Sequence, residues 1–337
     1  METAAFDYVL PLDRIAQTAI DPRDSSRMLL ASDLTEIVFR DLATLFDPGD
    51  LLVVNRTRVR AARLPAVRQD TGGNVEVLLT QSNGDGTWEA LLRPARRLRA
   101  GVRLGVGGRT IDVLEDPVDG VSTIVILPDE DIEAFIETVG SVPLPPYFRG
   151  ELPDVTRYQT MFADEVGSSA APTAALHFTD RVVGSLAARG VSIAEVELQI
   201  GLDTFRPMAS ETIEGHAIHT ERAIVNRDAV DAVAAARVAG GRVVAVGTTV
   251  ARTLESAATG DGLVREMDVP TDLFIRPGYE PRVIDGLITN FHAPRTTLIV
   301  LVATLLGDRW RTVYDHALAN GFRFLSFGDS MYIEVTR

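Results

Sequence analysis

The stretch GGRVVAVGTTVARTLESAA, residues 240–258, decides the fold of the larger part of this chain. An apolar run, residues 243–246, ends in Gly247, Thr248 and Thr249, and a stretch with helical spacing follows. This order predicts a buried strand, a tight turn and the start of a helix. Backbone N–H groups and two hydroxyls at such a turn suit a carboxylate, a phosphate or a ribose hydroxyl. A turn that is merely capped by Thr249 fits the same letters, so this pattern alone leaves the function open.

Two charged residues follow within the predicted helix. Arg252 and Glu255 are three positions apart, which places them on one helical face where they can pair with each other. They are candidate ligand-binding groups, together with the two threonines of the turn. The alternative is an ion pair on the protein surface, with no role in binding.

Strands and helices alternate from about residue 157 onward, which predicts an α/β domain. Between residues 61 and 145, short alternating runs are separated by glycine-containing turns, which predicts a small antiparallel β-barrel. The expected architecture is therefore an α/β domain with a barrel-like sheet, formed by residues 1–60 and 146–337, with a β-barrel domain inserted at residues 61–145.

Several elements of the α/β part can be predicted individually. Residues 227–241 are alanine-rich and amphipathic, which predicts a helix with Asn226 as its cap. Residues 180–190 predict a helix that ends in glycine and is capped by Thr179 or Asp180. The run TDLFIRPG, residues 271–278, is predicted to be a strand.

Composition excludes several kinds of chemistry. The chain has 337 residues and no cysteine, so disulfides, thiolate metal sites and a cysteine nucleophile are excluded. It also has no lysine, which excludes a Schiff-base lysine and a standard phosphate-loop lysine. The longest apolar run, residues 298–307, is far shorter than the roughly 20 residues of a membrane span, and the N-terminus has no signal pattern. We expect a cytoplasmic, monomeric protein with no membrane association.

Charge bears on a nucleic-acid partner. The net charge of −14 would repel phosphate as a whole, so binding to RNA would need a local basic patch. The β-barrel segment offers one, with five arginines within eleven residues. A solvated strand edge is the alternative interpretation. The patch consists of Arg93, Arg96, Arg97, Arg99 and Arg103.

Proton-transfer candidates occur at turns and helix entries. His177 directly precedes a predicted helix, where an imidazole is well placed for acid–base chemistry. His216 and His219 have the i,i+3 spacing of a partial metal site, but no third ligand is evident, so we expect no metal. Other polar groups lie in GLITNFHAPRTT and FLSFGDSMY, where ordinary turn formation is the alternative explanation. These are Asn290, His292 and Asp329.

The sequence as a whole resembles one family, the S-adenosylmethionine:tRNA ribosyltransferase-isomerases of queuosine biosynthesis. The resemblance covers nearly the whole chain and rests on many motifs in the family's order. They include DPGDLLVVNRTRV, SSAAPTAALHFT, IGLDTFRP, HAIHTE, GGRVVAVGTTVARTLES, DGLITNFHAPRTTLIVLVA and FLSFGDSMYI. The family's architecture, an α/β domain with an inserted β-barrel, agrees with the expectation from the residues.

The resemblance implies a reaction. S-adenosylmethionine donates its ribosyl carbons to 7-aminomethyl-7-deazaguanine at the wobble position of tRNA. The ribose rearranges to an epoxycyclopentanediol, which gives epoxyqueuosine, and adenine and methionine leave. S-adenosylmethionine is then a substrate, and no cofactor is expected.

The resemblance also implies roles for the candidate residues. A base must remove the acidified proton at the 5′ carbon, and an acid must assist the departure of adenine; His177 is the favoured group. Arg206 or Arg252 could clamp the methionine carboxylate. The full prediction assigns catalysis to His177, His219, His292 and Asp329, substrate binding to Arg206, Thr248, Thr249, Arg252, Glu255 and Asn290, and RNA binding to Arg93, Arg96, Arg97 and Arg99.

Six positions depart from the family's usual motifs: Arg56, Gln199, Asp203, Gly215, Val250 and Arg295. Because these motifs are expected to line the pocket, two alternatives stay open. One is a paralogue that uses S-adenosylmethionine on a different acceptor. The other is a binding protein that keeps the fold and the nucleoside without turnover.

Overall fold

The computed structural model describes residues 1–149, 152, 154–201, 207–218 and 220–335. The predicted site residues Arg206 and His219, and the departure Asp203, lie outside these ranges. The chain divides into two compact units. The first comprises Met1–Arg58, Pro146–Glu165 and Ala171–Arg337, and the second comprises Val59–Pro145 and Val166–Ala170.

Strands supply most of the regular structure. In chain order they are β1 Arg27–Leu30, β2 Glu36–Val38, β3 Leu51–Asn55, β4 Thr57–Val59, β5 Arg63–Arg68, β6 Asn74–Ser82, β7 Thr87–Arg93, β8 Arg103–Val106, β9 Arg109–Val113, β10 Val121–Leu127, β11 Glu165–Ser168, β12 Ser192–Leu198, β13 Glu221–Val225, β14 Val243–Val246, β15 Met267–Thr271, β16 Gly286–Asn290 and β17 Ser330–Glu334. The helices are α1 Ile132–Val139, α2 Asp180–Ala188, α3 Arg227–Val238, α4 Thr248–Ser256, α5 Thr297–Leu306 and α6 Arg309–Ala319.

The first unit is built on a nine-stranded sheet in the order β15-β13-β12-β3-β14-β16-β17-β1-β2. Strands β12, β3, β14 and β16 run parallel, whereas β13 and β17 run antiparallel to their neighbours β12 and β16. The carboxyl ends of the parallel strands therefore share an edge with the amino ends of β13 and β17. Ligands of α/β proteins bind at this edge.

The core explains why β14 is a continuous apolar run. Val243 and Ala245 pack in one hydrophobic cluster, and Val244 and Val246 pack in the cluster on the opposite face. Successive side chains of a strand point to opposite faces, so a strand covered on both sides must be apolar throughout.

The second unit contains a closed six-stranded antiparallel barrel in the order β10-β7-β6-β5-β8-β9. Short alternating runs form its strands, and the buried positions of β10 alternate with more exposed ones. The combination of an α/β unit and a closed β-barrel confirms the fold class that the sequence predicts.

Most of the individually predicted elements are confirmed. Asn226 caps α3 by accepting a hydrogen bond from the Ala229 N–H, and Thr179 caps α2 in the same way from the Val182 N–H. The predicted strand at residues 271–278 is wrong, because β15 ends at Thr271. The Thr271 hydroxyl accepts a hydrogen bond from the Leu273 N–H and so turns the chain out of the sheet. None of the described helices has both the length and the apolar character of a membrane span.

Candidate active site

The turn after β14 is shaped by a glycine. Gly247 has a φ of 99°, which disfavours any other residue, and its N–H donates a hydrogen bond to the Ile288 carbonyl at 2.8 Å. Helix α4 begins at Thr248 without a side-chain cap, so the interpretation of Thr249 as a cap is wrong. The Thr249 hydroxyl is buried without a hydrogen-bond partner among the described residues. This hydroxyl and the first N–H groups of α4 can therefore receive a ligand.

A cavity opens at this turn, with about 600 Å³ of empty space that is partly open to solvent. We call it the turn cavity. It brings together four predicted site residues: Thr248, Thr249, Asn290 and His292. Thr173, Tyr147 and Ser326 add further polar atoms, and no Asp, Glu or Arg occurs among the described residues that line it.

The Asn290 side chain connects neighbouring segments at the turn cavity through hydrogen bonds. The residue ends β16, and its Oδ1 accepts a hydrogen bond from the Thr173 hydroxyl at 2.8 Å. Its Nδ2 donates to the Asp329 carbonyl at 3.4 Å and lies 3.3 Å from His177 Nε2. Two other segments of the chain, residues 173–177 and Asp329, thus meet at one amide side chain.

His177 lies behind this amide. Its Nε2 can accept from Asn290, which leaves Nδ1 to donate to the Ser26 hydroxyl at 2.8 Å. Burial, aided by the charge of Arg323, lowers the His177 pKa to about 3. His177 does not line the turn cavity but a smaller one, with Arg23 and Arg323. This geometry suits a neutral residue that orients Asn290.

His292 lies in the wall of the turn cavity itself. Its Nε2 is 2.8 Å from the Thr289 hydroxyl, and its backbone carbonyl accepts from the Tyr8 hydroxyl at 2.5 Å. Burial lowers the His292 pKa to about 3. The imidazole is therefore neutral at pH 7, and in this buried state it is a weaker base than a free imidazole.

We expect the His177 and His292 ring C2–H signals in an NMR spectrum to stay constant between pH 8 and pH 5. Both pKa values are lowered by burial, so the native state stays neutral below the unfolded value of about 6.5. Their contribution to stability is complete above that value and is lost as the pH falls toward 3. Only five histidines are present, so H177N and H292N variants assign the two signals. A midpoint near pH 6.5 for either signal would contradict the burial.

Asp329 has a structural role at the same edge. Its two carboxylate oxygens accept hydrogen bonds from the Arg27 N–H at 3.0 Å and the Arg323 N–H at 2.8 Å. It does not line the turn cavity. The carboxylate therefore joins the starts of β1 and β17 instead of facing the predicted chemistry.

The predicted contact between Arg252 and Glu255 is wrong. Arg252 forms an ion pair with the buried carboxylate of Glu221 on β13. Glu255 accepts hydrogen bonds from the Tyr279 hydroxyl and from three successive backbone N–H groups, residues 282–284, at 2.8 to 3.0 Å. Glu255 thus anchors a loop and lines neither the turn cavity nor the cavity beside Arg252.

Sequence reasoning missed Glu221. It is 6 % exposed, and one of its oxygens accepts from the Gly201 N–H at 2.9 Å. The available signal was an acidic residue at the start of strand β13, whose last three residues are apolar. A buried charge requires a partner, but spacing along the chain could not identify Arg252 as that partner.

The described departures, including Arg295, line neither the turn cavity nor the cavity beside Arg252, and Gly215 directly precedes His216, which lines the latter. Arg56 pairs with Glu197 at 2.5 Å and lies 3.7 Å from Glu165. Val250 is fully buried in the hydrophobic core. Gln199 donates its N–H to the Arg222 carbonyl within the sheet region. The expectation that these positions line the pocket is wrong for Arg56, Gln199, Gly215, Val250 and Arg295.

The arginine patch of the β-barrel is exposed throughout. Arg99 lies 3.9 Å from Asp116 and Arg103 lies 3.3 Å from Asp112. Arg93, Arg96 and Arg97 have no ion-pair partner within the described part of the chain. Three guanidinium groups are therefore available to an anionic partner.

The sheet edge and its cavity, which combines uncharged polar groups with apolar ones, define the class: an α/β protein with a small-molecule site. The chain matches the family described as queuosine biosynthesis protein over residues 3–333. The protein belongs to this family, which confirms the resemblance read from its motifs.

Individual relatives agree. The chain is 46 % identical over 343 residues to the S-adenosylmethionine:tRNA ribosyltransferase-isomerase of Heliobacterium modesticaldum, covering 99 % of this chain and 100 % of the relative. The protein of the same name from Moorella thermoacetica is 45 % identical, with the same coverage. The crystal structure of S-adenosylmethionine tRNA ribosyltransferase from Thermotoga maritima aligns with a TM-score of 0.55 and 33 % identity, covering 97 % of this chain and 99 % of that one.

Proposed function

We propose that this protein is an S-adenosylmethionine:tRNA ribosyltransferase-isomerase. It transfers the ribosyl group of S-adenosylmethionine to 7-aminomethyl-7-deazaguanine at the tRNA wobble position and isomerises it, so that epoxyqueuosine, adenine and methionine result. Relatives of this name match the chain from end to end. The structural observation that carries the proposal is the turn cavity with the unpartnered Thr249 hydroxyl.

The turn cavity fits a nucleoside better than a phosphate. Its described lining offers hydroxyls, an amide and a neutral imidazole, without a guanidinium to neutralise a phosphate. Ribose hydroxyls and adenine nitrogens both donate and accept hydrogen bonds, and such groups match that set. In this proposal Thr248, Thr249 and Asn290 hold the nucleoside of S-adenosylmethionine.

His292 is the proposed base. The sulfonium of S-adenosylmethionine acidifies the neighbouring 5′ carbon, and a neutral imidazole in the cavity wall can take up that proton. His177 is a positioning residue in this proposal, since it contacts Asn290 of the lining but does not itself line the turn cavity. S-adenosylmethionine is a substrate, and the proposal includes no cofactor.

Adenine release tests this function. Purified protein with S-adenosylmethionine and tRNA carrying the aminomethyl-deazaguanine base should release adenine only when both are present. Bound S-adenosylmethionine without adenine release would support the non-catalytic alternative. Release driven by a small amine but not by this tRNA would support a different acceptor. A relative of established activity serves as the positive control.

The proposed RNA contact of the barrel patch predicts a specific salt dependence. The double variant R96Q/R97Q should lower the slope of log affinity against log salt by about 2, roughly one unit per arginine. Both arginines are exposed and lack an ion-pair partner among the described residues. The control is R222Q/R227Q, which removes two exposed arginines paired with Asp268 and Asp231. Equal tRNA affinity and slope in both double variants would refute the contact.

A further inference from the structure

A second cavity adjoins the turn cavity. It has about 470 Å³ of empty space, partly open to solvent, and Leu298 on α5 lines both cavities. Arg252 and Glu221 supply its charges, whereas Leu273, Phe274 and Leu301 supply apolar wall. We call it the Arg252 cavity. One buried cation beside one buried anion, in a pocket whose other lining residues are mostly apolar, is an unusual combination.

Arg252 has an unused donor in this cavity. The residue is 7 % exposed; its Nε donates to the Leu273 carbonyl at 3.0 Å and its Nη1 to Glu221. Its Nη2 is buried without a hydrogen-bond partner among the described residues. A buried donor left unsatisfied costs about 1–3 kcal/mol, and more when charged, so an anionic acceptor there would be strongly favoured.

We infer that the Arg252 cavity binds an α-amino acid group through both of its charges. The carboxylate accepts from Arg252 Nη2, the ammonium faces the Glu221 carboxylate, and the aliphatic chain lies along the apolar wall. This inference rests on the proposed function and extends it, because it defines how the methionine end of the substrate is recognised. A carboxylate clamp alone would accept any acid, whereas this pair selects an α-amino acid.

The distances along α4 are compatible with one ligand that occupies both cavities. Thr248 lines the turn cavity and Arg252 lines the second one, and four helical residues rise about 6 Å. The four bonds from sulfur to carboxylate carbon in methionine span roughly 5 Å. The nucleoside can therefore occupy the turn cavity while the amino acid reaches Arg252 past Leu298.

The first test uses only the unaltered protein. S-adenosylhomocysteine carries both charges, S-adenosyl-3-thiopropylamine lacks only the carboxylate, and 5′-methylthioadenosine lacks the whole amino acid. Calorimetry should show S-adenosylhomocysteine binding at least 30-fold more tightly than either analogue. If the three affinities are equal, the inference about the amino acid group is overturned, but the proposal that S-adenosylmethionine is the donor is unaffected. If none binds, both the inference and the proposed donor are overturned.

Variants test whether Arg252 and Glu221 are the residues that bind the amino acid group. R252Q and E221Q should each lower the affinity for S-adenosylhomocysteine at least 30-fold. The affinity of each variant for 5′-methylthioadenosine should stay within 3-fold of that of the original protein. R222Q is the matched control, since Arg222 is next to Glu221 on β13 but pairs with exposed Asp268. Retained 5′-methylthioadenosine binding reports an intact fold. Unchanged S-adenosylhomocysteine binding in R252Q and E221Q would overturn the assignment.

Discussion

Replacing His292 with asparagine is expected to lower kcat for adenine release by about 10²- to 10⁴-fold, the usual contribution of a positioned acid or base. The imidazole lies in the wall of the turn cavity, and burial keeps it unprotonated at neutral pH. Asparagine can keep a hydrogen bond to Thr289 but cannot take up a proton at that pH. The KM for S-adenosylmethionine should change little, because His292 is proposed to act on the reacting carbon.

Substrate deuterated at the 5′ carbon gives a second readout. With the original protein, the substrate should lose one deuterium to solvent per turnover. With H292N, the substrate should lose almost none. H177N is the matched control, because His177 contacts Asn290 but does not itself line the turn cavity. A larger loss of kcat in H177N than in H292N would return the proton-transfer role to His177.

Replacing Glu255 with alanine is expected to destabilise the first unit by about 2 kcal/mol or more. The change leaves four donors without their acceptor, the Tyr279 hydroxyl and the N–H groups of residues 282–284, and the hydrogen bonds of Val283 and Ile284 are buried. Each unsatisfied buried donor costs about 1–3 kcal/mol. The effect is on folding, because Glu255 does not line the cavities of the site.

Urea unfolding measures this loss, followed by the fluorescence of Trp310 in a W88F background, because Trp88 of the second unit also emits. E280A is the control: Glu280 belongs to the same loop but is exposed, and such a substitution usually changes stability by no more than about 0.5 kcal/mol. Equal midpoints for E255A and E280A would show that the hydrogen bonds of Glu255 do not stabilise the loop.

Local patterns predicted the fold well where the chain alone determines it. The run at residues 243–246 followed by Gly247 specified a buried strand, a turn and a helix, since both sheet faces are covered and the turn needs a positive φ. Asn226 and Thr179 were predicted as caps because a cap bonds to a backbone N–H only a few residues away.

The candidate site was predicted less completely, because its contacts join distant segments. Arg252 and Glu255 do share a helix, but their partners are 31 and 24 residues away along the chain. Nothing in local spacing identifies Glu221 or the loop at residues 279–284. The same limit applies to His177, whose position relative to Asn290 depends on a contact across 113 residues.

The structure also changes the meaning of the motif departures. Arg56 forms an ion pair with Glu197, and Val250 is buried in the hydrophobic core. Neither one alters the lining of the turn cavity. On these grounds we expect the acceptor of the family reaction to be retained.

The mass of the wobble nucleoside tests the central claim most directly. tRNA bearing 7-aminomethyl-7-deazaguanine is incubated with the protein and S-adenosylmethionine, digested and analysed by mass spectrometry. The account predicts conversion to epoxyqueuosine with one adenine released per modified tRNA. An unchanged nucleoside, under conditions in which a relative of established activity modifies the same tRNA, would contradict it.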